Sequence, residues 1–351
     1  MPAVTLKDVA REAGVALTTA AVALRRDFRI ALKPATRRRI LAVARRLGYR
    51  RNQQAAALRT GRSDWVGVLA GSLGMPVGLL KLREIERGLR EHGFRCLVRE
   101  TGGDPELEAR FLQEFTDSRV AGLVVSDWPS PALAARLAPL TAHGLPVLAL
   151  EPFAEGQAGI ACVTVDRFSG GEQAGRHLAA LGHRRIARLA GRVGDANAQR
   201  RFAGLDAALA AAGIPPLLEL EEPVAEHSFA GGYAAATRLL ARRRDFTALS
   251  CVNDEVAIGA MRALREAGLR IPRDLSVVGF DDIPVAPYAP VPLTTVAQPV
   301  GEVAAEAIRW LLPRLQRRAA APAAAVAVIR MPMRLVVRES SAPPPALAVP
   351  G

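Results

Sequence analysis

The sequence has few cysteines and no long apolar run, and each scarcity excludes a class of protein. Cys96, Cys162 and Cys251 are the only cysteines among 351 residues. Their wide spacing supports neither a disulfide framework nor a zinc site, and predicts three small buried thiols. No stretch approaches the roughly 18 apolar residues that a membrane span needs. Charged residues interrupt the N-terminus, which therefore lacks the apolar segment of a signal peptide, and we expect a cytoplasmic protein without a membrane partner.

Acidic residues are scarce in the first 62 positions. This segment has 15 lysines and arginines against 3 acidic residues, and so carries nearly all of the net charge of +13. A basic segment on a near-neutral body is the electrostatic pattern of a protein that binds a polyanion with one end. A solvated basic surface would have the same composition, so the motifs within the segment must distinguish the two interpretations.

The basic segment contains the pattern of a helix-turn-helix. An apolar stripe at helical spacing predicts a first helix that ends at Gly14, where glycine tolerates the left-handed conformation of a tight corner. A second helix is predicted from about Leu17 to Arg25, with Thr18 and Val22 facing outward. In a helix-turn-helix the second helix lies in the DNA major groove.

A third helix and a short conditional helix follow. Pro34 suits the first turn of the third helix, and Gly48 ends it; its alternative interpretation is a basic amphipathic helix in another three-helix domain. The segment 52–63 contains good helix formers but is too short to be stable alone. Its single large apolar side chain, Leu58, suggests a wedge that inserts between base steps in the minor groove.

The remainder of the chain alternates short apolar runs with helical stretches. This alternation predicts parallel sheets covered by helices on both faces, in two doubly wound lobes. Ligands in such folds bind beyond the carboxyl ends of the strands. Polar residues follow several of these runs, namely Asp127, Trp128, Glu151, Asp166, Asn253 and Asp281.

Five motifs occur in the order of one known family. They are "TLKDVAREAGV", "PATRRRILAVARRLGYRRNQQAAALRTGRS", "LGHRRIARLAG", "SVVGFDD" and "PLTTVAQP". From about Val4 to Ser341 the chain resembles the lactose/galactose repressor (LacI/GalR) family of bacterial transcription regulators. The resemblance implies an α-helical helix-turn-helix domain and hinge helix followed by an α/β two-lobed effector domain like a periplasmic binding protein.

The resemblance also implies domain boundaries. The DNA-binding domain would cover residues 1–50 and the hinge helix residues 51–63. The first lobe would comprise residues 64–165 and 295–330, and the second lobe residues 166–294. Residues 331–351 would form a C-terminal strand and a disordered, Pro/Ala-rich tail.

The resemblance further implies which residues contact DNA. Leu17, Thr18 and Val22 match base-contacting positions, Thr5 and Thr19 match phosphate-contacting positions, and Leu58 matches the intercalating leucine. The full predicted DNA-binding set is Thr5, Leu6, Leu17, Thr18, Thr19, Val22, Asn52, Ala55 and Leu58. Ala16, Ala20, Ala21 and Val22 depart from the family pattern, which predicts an unusual operator or a weaker affinity for DNA.

Six residues match effector-binding positions. They are Glu151, Arg201, His227, Asn253, Asp281 and Gln298. Alternative interpretations are a helix-surface charge for Arg201, a helix cap for Asn253, a turn residue for Asp281 and an exposed loop residue for His227. The aromatic entrance that is usual in the family is replaced by "GSLGMPVGLL", so a sugar, a sugar phosphate and a sugar acid all remain candidate ligands.

We therefore expect a dimeric, ligand-responsive repressor of carbohydrate genes that binds a palindromic DNA operator and needs no cofactor or metal. The alternatives are a cytoplasmic sugar-binding protein or activator with weak DNA specificity, a transport binding protein and an enzyme. The basic head disfavours a transport protein. The sequence has neither a phosphate-binding glycine loop nor histidines at metal-binding spacing, which disfavours an enzyme.

Overall fold

The structure, a computed structural model, describes residues 4–24, 32–49, 63–126, 129–130, 132–153, 160–192, 194–316 and 328–345. Its N-terminal head contains three helices: α1 (Leu6–Glu12), α2 (Leu17–Leu24) and α3 (Pro34–Arg46). Gly14 has a φ of +59° and lets the chain turn between α1 and α2. Val9, Ala20 and Ile40 are fully buried where the three helices meet. The predicted helix-turn-helix and third helix are therefore present.

A capping box fixes the start of α1. The Thr5 hydroxyl accepts the Asp8 backbone N–H at 3.4 Å, and the Asp8 carboxylate accepts the Thr5 backbone N–H at 2.9 Å. The two residues thus satisfy each other's backbone donors. α2 begins after Ala16, whose carbonyl accepts the Ala20 N–H at 3.0 Å but whose side chain has no oxygen for a cap.

The body consists of two sheets with six strands each among the described residues. The first sheet has the order β11-β5-β4-β3-β1-β2 and is parallel throughout. Its strands are β1 (Trp65–Ala70), β2 (Arg95–Glu100), β3 (Gly122–Val125), β4 (Val147–Ala149), β5 (Ala161–Val165) and β11 (Val328–Met331). Most of them are buried on both faces, as expected for a parallel sheet between helices.

The second sheet has the order β12-β10-β9-β8-β6-β7, in which β12 is antiparallel to β10 and the other pairs are parallel. Its strands are β6 (Ile186–Ala190), β7 (Glu221–Pro223), β8 (Ala248–Cys251), β9 (Ser276–Asp281), β10 (Thr294–Ala297) and β12 (Arg334–Val336). The predicted fold class of two α/β lobes with parallel sheets is confirmed.

Helices cover both sheets. In the first lobe they are α4 (Pro76–Glu91), α5 (Pro105–Asp117), α6 (Leu133–Ala142) and α11 (Val300–Gln316). In the second lobe they are α7 (Arg167–Ala180), α8 (Ala196–Ala211), α9 (Phe229–Arg242) and α10 (Asp254–Glu266). Glycines let α7 and α8 approach closely: a Cβ on Gly171 would lie 1.8 Å from the carbonyl oxygen of Arg201.

The described chain crosses between the lobes after β5, after β10 and between β11 and β12. The second crossing comes after Ala297, slightly later than the predicted boundary at Thr294, because all of β10 pairs with β9 in the second sheet. Of the tail that the sequence predicts to be disordered, the structure describes residues 340–345. Ser340 is fully buried and hydrogen-bonds Val277 and Thr294 of the second sheet, while residues 346–351 lie outside the described part.

Three further expectations concern cysteines, metals and membranes. Cys162 and Cys251 are buried and Cys96 is half-buried, and all three are free thiols. Within the described residues no cluster of histidine, cysteine, aspartate and glutamate could hold a metal ion. In the same part of the chain, no helix combines the length and the apolar character that crossing a membrane requires.

Candidate functional site: an interlobe cleft and a helix-turn-helix surface

All six residues predicted to bind an effector line one cleft between the lobes. The structure brings them together with seven residues that were not predicted. The complete lining is Met75, Val77, Lys81, Glu151, Arg167, Asp195, Asn197, Ala198, Arg201, His227, Asn253, Asp281 and Gln298. The cleft lies at the carboxyl ends of the strands, where doubly wound folds bind ligands.

Arg201 and Asp281 form the ion pair at the centre of the second-lobe wall. Arg201 Nη2 lies 3.2 Å from Asp281 Oδ1, and its Nη1 donates to the carbonyl of Val252. Gln298 donates its Nε2 to the same Asp281 oxygen at 2.6 Å. The guanidinium also stacks on the Phe280 ring, 4.2 Å from its centroid. Arg201 is therefore not the surface charge of its alternative interpretation, and burial lowers its pKa.

Asp281 and Asp282 have backbone conformations that are unusual for residues other than glycine. Their φ angles are +116° and +56°. Such conformations cost free energy and persist where the surrounding structure imposes them, often at binding sites. The buried Asp254 holds this turn, because its carboxylate accepts the Ile283 N–H at 2.8 Å and also contacts the hydroxyl of Thr295. Asp281 thus lies in a turn and also lines the cleft.

Asn253 and His227 also line the second-lobe side of the cleft. Asn253 Oδ1 caps α10 by accepting the Val256 N–H at 2.9 Å, and its amide lies 3.5 Å from the His227 carbonyl oxygen. Asn253 therefore caps a helix and lines the cleft at once. His227 Nε2 lies 3.4 Å from Asp195 Oδ2. The His227 side chain is only 7% exposed, so the exposed-loop interpretation is wrong. Burial lowers the His227 pKa although Asp195 opposes the shift.

Glu151 dominates the first-lobe end of the cleft. Arg167 Nη2 lies 2.5 Å from Glu151 Oε1, and Lys81 Nζ lies 3.6 Å from the same oxygen. Thr164 donates its hydroxyl to the other carboxylate oxygen at 3.4 Å. Burial alone would raise the Glu151 pKa, but the charges of Arg167 and Lys81 outweigh it and lower the pKa. Glu151 is thus held as an anion.

The sequence analysis missed Lys81, Arg167, Asp195 and Asn197. A signal for Lys81 was present: it follows Val77 by four residues and precedes Ile85 by four, which places it on the buried stripe of α4. Arg167 follows Asp166, the N-cap of α7. Of the other polar residues noted after strands, Asp127 and Trp128 lie outside the described residues.

The cleft offers donors and acceptors that the described protein leaves unused. Arg167 Nε, Arg201 Nε and Gln298 Oε1 are buried and have no hydrogen-bond partner within the described residues. Buried polar atoms are normally hydrogen-bonded, so such atoms indicate a site for a polar ligand. The cavity volume is about 40 Å³, which is room for a few water molecules. A sugar-sized molecule therefore requires the walls to move apart.

The predicted DNA-contacting residues of the head differ in their exposure. Leu17 is 43% exposed, Thr18 and Thr5 are exposed, and Thr19 and Val22 are half-buried. Leu6 is half-buried and packs against the helical core. Asn52, Ala55 and Leu58 lie outside the described residues.

A helix-turn-helix head joined to a two-lobed ligand-binding fold defines a class of transcription regulators. Residues 5–52 match the family of bacterial regulatory proteins, lacI family, and residues 176–341 match the periplasmic binding protein-like domain.

Similar proteins with known names support the same class. The chain is 31% identical to the HTH-type transcriptional regulator DegA of Bacillus subtilis, over 97% of this chain and 98% of that protein. It is 29% identical to the ribose operon repressor of Escherichia coli, over 89% and 93% of the two chains. The solved lac repressor dimer bound to operator and the anti-inducer ONPF is similar with a TM-score of 0.81 and 28% identity, covering 97% of this chain and 99% of that chain.

The chain therefore belongs to the lacI family of bacterial regulatory proteins. It is a DNA-binding transcription regulator with a periplasmic-binding-like effector domain.

Proposed function

We propose that this chain is a cytoplasmic, dimeric repressor of carbohydrate genes whose operator binding is controlled by a small polar molecule in the interlobe cleft. The observation that carries the proposal is the cleft itself. Residues from both lobes meet there, and buried donors and an acceptor remain without partners among the described residues. The bound molecule would act as an effector and not as a substrate. The ribose operon repressor and the operator-bound lac repressor among the similar proteins support repression.

The proposed domains follow the sequence boundaries with one refinement. Residues 1–50 bind the major groove, and residues 51–63 form the hinge with Leu58 as its wedge. Leu17 and Thr18 on the exposed face of α2 have side chains suited to contact bases, since a methyl group can pack on thymine and a hydroxyl can bind a base edge. The second lobe extends to Ala297 because β10 pairs within it.

The cleft can control the head because its two walls belong to different lobes. A molecule bound there stabilises one relative arrangement of the lobes, and it shifts DNA affinity only if it binds the two arrangements with different affinity. Arg201, Asp281 and Asn253 would bind it from the second lobe, and Glu151 from the first. The effect must be reciprocal, so operator DNA changes the affinity for the effector by the same factor.

An apolar groove on the second lobe is the proposed dimer interface. It lies between α9 and α10, has a cavity volume of about 820 Å³ and is lined mostly by apolar side chains. Phe229 at its edge is 44% exposed. Monomeric proteins rarely expose large contiguous apolar surfaces, and a second copy of the chain would cover this one. Ile258→Asp within the groove should give monomers in sedimentation experiments, whereas Leu218→Asp at an exposed position elsewhere on the lobe should leave the dimer intact.

Selection of bound duplexes from a random library tests the DNA-binding part of the proposal. The purified chain should enrich a palindrome with a flexible pyrimidine–purine step at its centre. A deproteinised cell extract should then change the affinity for that sequence, and Asn253→Ala should reduce this response. Enrichment that never responds to extract would contradict the effector role of the cleft. Failure to enrich any sequence would reduce the proposal to charge-driven DNA binding.

A further inference from the structure

Three buried charges lie at the first-lobe end of the cleft: Lys81, Glu151 and Arg167. Their side chains are 1%, 4% and 4% exposed. Lys81 comes from α4 of the first lobe, Glu151 follows β4 in the same lobe, and Arg167 begins α7 of the second lobe. The group therefore combines residues of both lobes and lies at one end of the cleft.

The charges in this group do not balance. Within the described part of the chain, Glu151 is the one carboxylate that pairs with either cation, and both cations lie nearest to the same oxygen, Oε1. Arg167 makes the close contact and suffices to neutralise Glu151. Lys81 is then a buried positive charge without a counterion of its own, and an unpaired buried charge is strongly unfavourable.

The group also has more hydrogen-bond donors than acceptors within the described residues. Lys81 Nζ lies 3.6 Å from Glu151 Oε1, which is longer than a hydrogen bond, and within the described residues it has no closer acceptor. Arg167 donates Nη1 to Thr164 at 3.1 Å and Nη2 to Glu151, but its Nε–H has no acceptor in that part of the chain. Two cationic groups that line the cleft thus retain unused donors.

The other end of the cleft is different. Arg201 is neutralised by Asp281 and also donates to the Val252 carbonyl. Asp195 lies beside His227, whose pKa is lowered by burial, so that wall carries no excess of positive charge. An anionic group would therefore be attracted to the end with Lys81 and repelled by the end with Asp195 and Asp281.

Building on the proposed effector role of the cleft, we propose that Lys81 and Arg167 bind an anionic group of the effector, which is a small polyhydroxylated acid and not a neutral sugar. Its carboxylate or phosphate would accept from Lys81 Nζ and Arg167 Nε. Its hydroxyl groups would face Asp281, Asn253 and Gln298, whose Oε1 can accept a hydrogen bond from a hydroxyl group. The effector would thereby bridge the two lobes through its charged end.

The first experiment measures the thermal midpoint of the full chain with inorganic phosphate, gluconate, glucose and chloride at equal ionic strength. Phosphate or gluconate should raise the wild-type midpoint saturably, whereas glucose and chloride should not. Whichever anion saturates at the lower concentration identifies phosphate or carboxylate as the preferred group. A wild-type midpoint that follows ionic strength alone would overturn the anion site.

Two variants assign any anion effect to this site. Lys81→Met should weaken the apparent affinity for the anion by about 30-fold or more, since it removes a buried charge contact. Arg83→Met removes an exposed charge from the same helix and should leave that affinity within about twofold. Without the anion, Lys81→Met should melt no lower than wild type, because an apolar side chain replaces an unbalanced buried charge. A Lys81→Met variant that binds the anion normally, or that melts far below wild type, would overturn the proposal.

A second experiment separates failure of this inference from failure of the proposed function. The deproteinised extract that changes operator binding is passed over an anion-exchange resin at neutral pH. The active component should be retained and then eluted by salt. Activity in the flow-through would mean a neutral effector, which would contradict the anion site while leaving effector control intact. Loss of extract activity on Asn253→Ala but not on Lys81→Met would lead to the same conclusion.

Discussion

The head and the interlobe cleft present their functional side chains in opposite ways. In the head, Leu17 and Thr18 project from a small helical core and are exposed. In the cleft, Asn253 and Asp281 are 2% and 4% exposed and belong to a connected set of ion pairs and hydrogen bonds. The head can therefore change these exposed residues, which we propose contact bases, without losing its fold. A substitution in the cleft alters stability and ligand binding together.

The helix-turn-helix illustrates this freedom. Ala16, Ala21 and Val22 depart from the family pattern, yet α2 forms and packs through Ala20 and Ala23. These three departures lie outside the buried set and alter the surface offered to DNA, whereas the fourth, Ala20, is fully buried and belongs to the core of the head. An unusual operator is the consequence we expect.

The largest expected effect comes from removing the central cation of the cleft. Arg201→Leu leaves the Asp281 carboxylate buried without its ion-pair partner. Losing one partner of a buried ion pair costs about 4 kcal/mol, so urea denaturation should show a correspondingly lower free energy of unfolding for the body. Arg90→Leu, which breaks the exposed pair with Glu86, should cause no measurable change. Equal effects of the two variants would contradict the difference in burial that distinguishes the cleft.

A smaller loss of stability is expected when the close contact between α7 and α8 beside Arg201 is disturbed. Gly171→Ala places a methyl group 1.8 Å from the Arg201 carbonyl oxygen, so α7 and α8 must separate. Overpacking of this kind costs about 3 kcal/mol and should also weaken effector binding. Gly301→Ala, where a Cβ meets nothing within 4 Å, is the matched control. Calorimetric melting of both variants tests the prediction, and an unchanged Gly171→Ala midpoint would show that the helices are not held this closely.

In the head, the expected effect on stability is about 1 kcal/mol. Thr5→Ala removes the side-chain cap of α1, and loss of an N-cap costs about this much. Thr18→Ala, at an exposed position, should leave the stability of the full chain unchanged. It should relax the sequence preference in the selected duplexes. Circular dichroism of the full chain and repeated duplex selection separate the two outcomes. A large loss of stability in Thr18→Ala would mean that it belongs to the core and not to the DNA-facing surface.

The smallest expected effect is on pH dependence. Burial lowers the His227 pKa, so the unfolded chain binds a proton near the ordinary histidine pKa of 6.5 while the folded chain does so only at lower pH. His227 therefore destabilises the folded state relative to the unfolded chain as pH falls below about 6.5, and it has no such effect above that value. His227→Asn should flatten the loss of stability between about pH 7.5 and 5.5. Identical slopes for His227→Asn and wild type would contradict the buried neutral imidazole.

The predictability of the two regions from sequence also differs. Strand and helix periodicity indicated both lobes. Polar residues after strand ends indicated that the ligand site lies at the carboxyl edge of each sheet. Of the six predicted effector residues that line the cleft, Glu151, Asn253 and Asp281 follow strands, whereas Arg201, His227 and Gln298 were indicated only by the family resemblance. Lys81 was missed because a lysine on an amphipathic helix normally faces solvent, and only its position on the buried stripe of α4 indicated otherwise. The buried tail around Ser340 was missed because its proline-rich composition resembles disorder, while its hydrogen bonds to the second sheet depend on tertiary structure.

The central claim is that occupancy of the cleft controls DNA binding by the head. Its most direct test is the fluorescence anisotropy of a labelled selected operator, titrated with the chain at increasing concentrations of the active extract fraction. The account predicts that the fraction shifts the operator dissociation constant of wild type saturably, by about 5- to 150-fold, and that Asn253→Ala requires far more of the fraction for the same shift. An operator affinity that responds identically in wild type and Asn253→Ala would contradict control through the cleft.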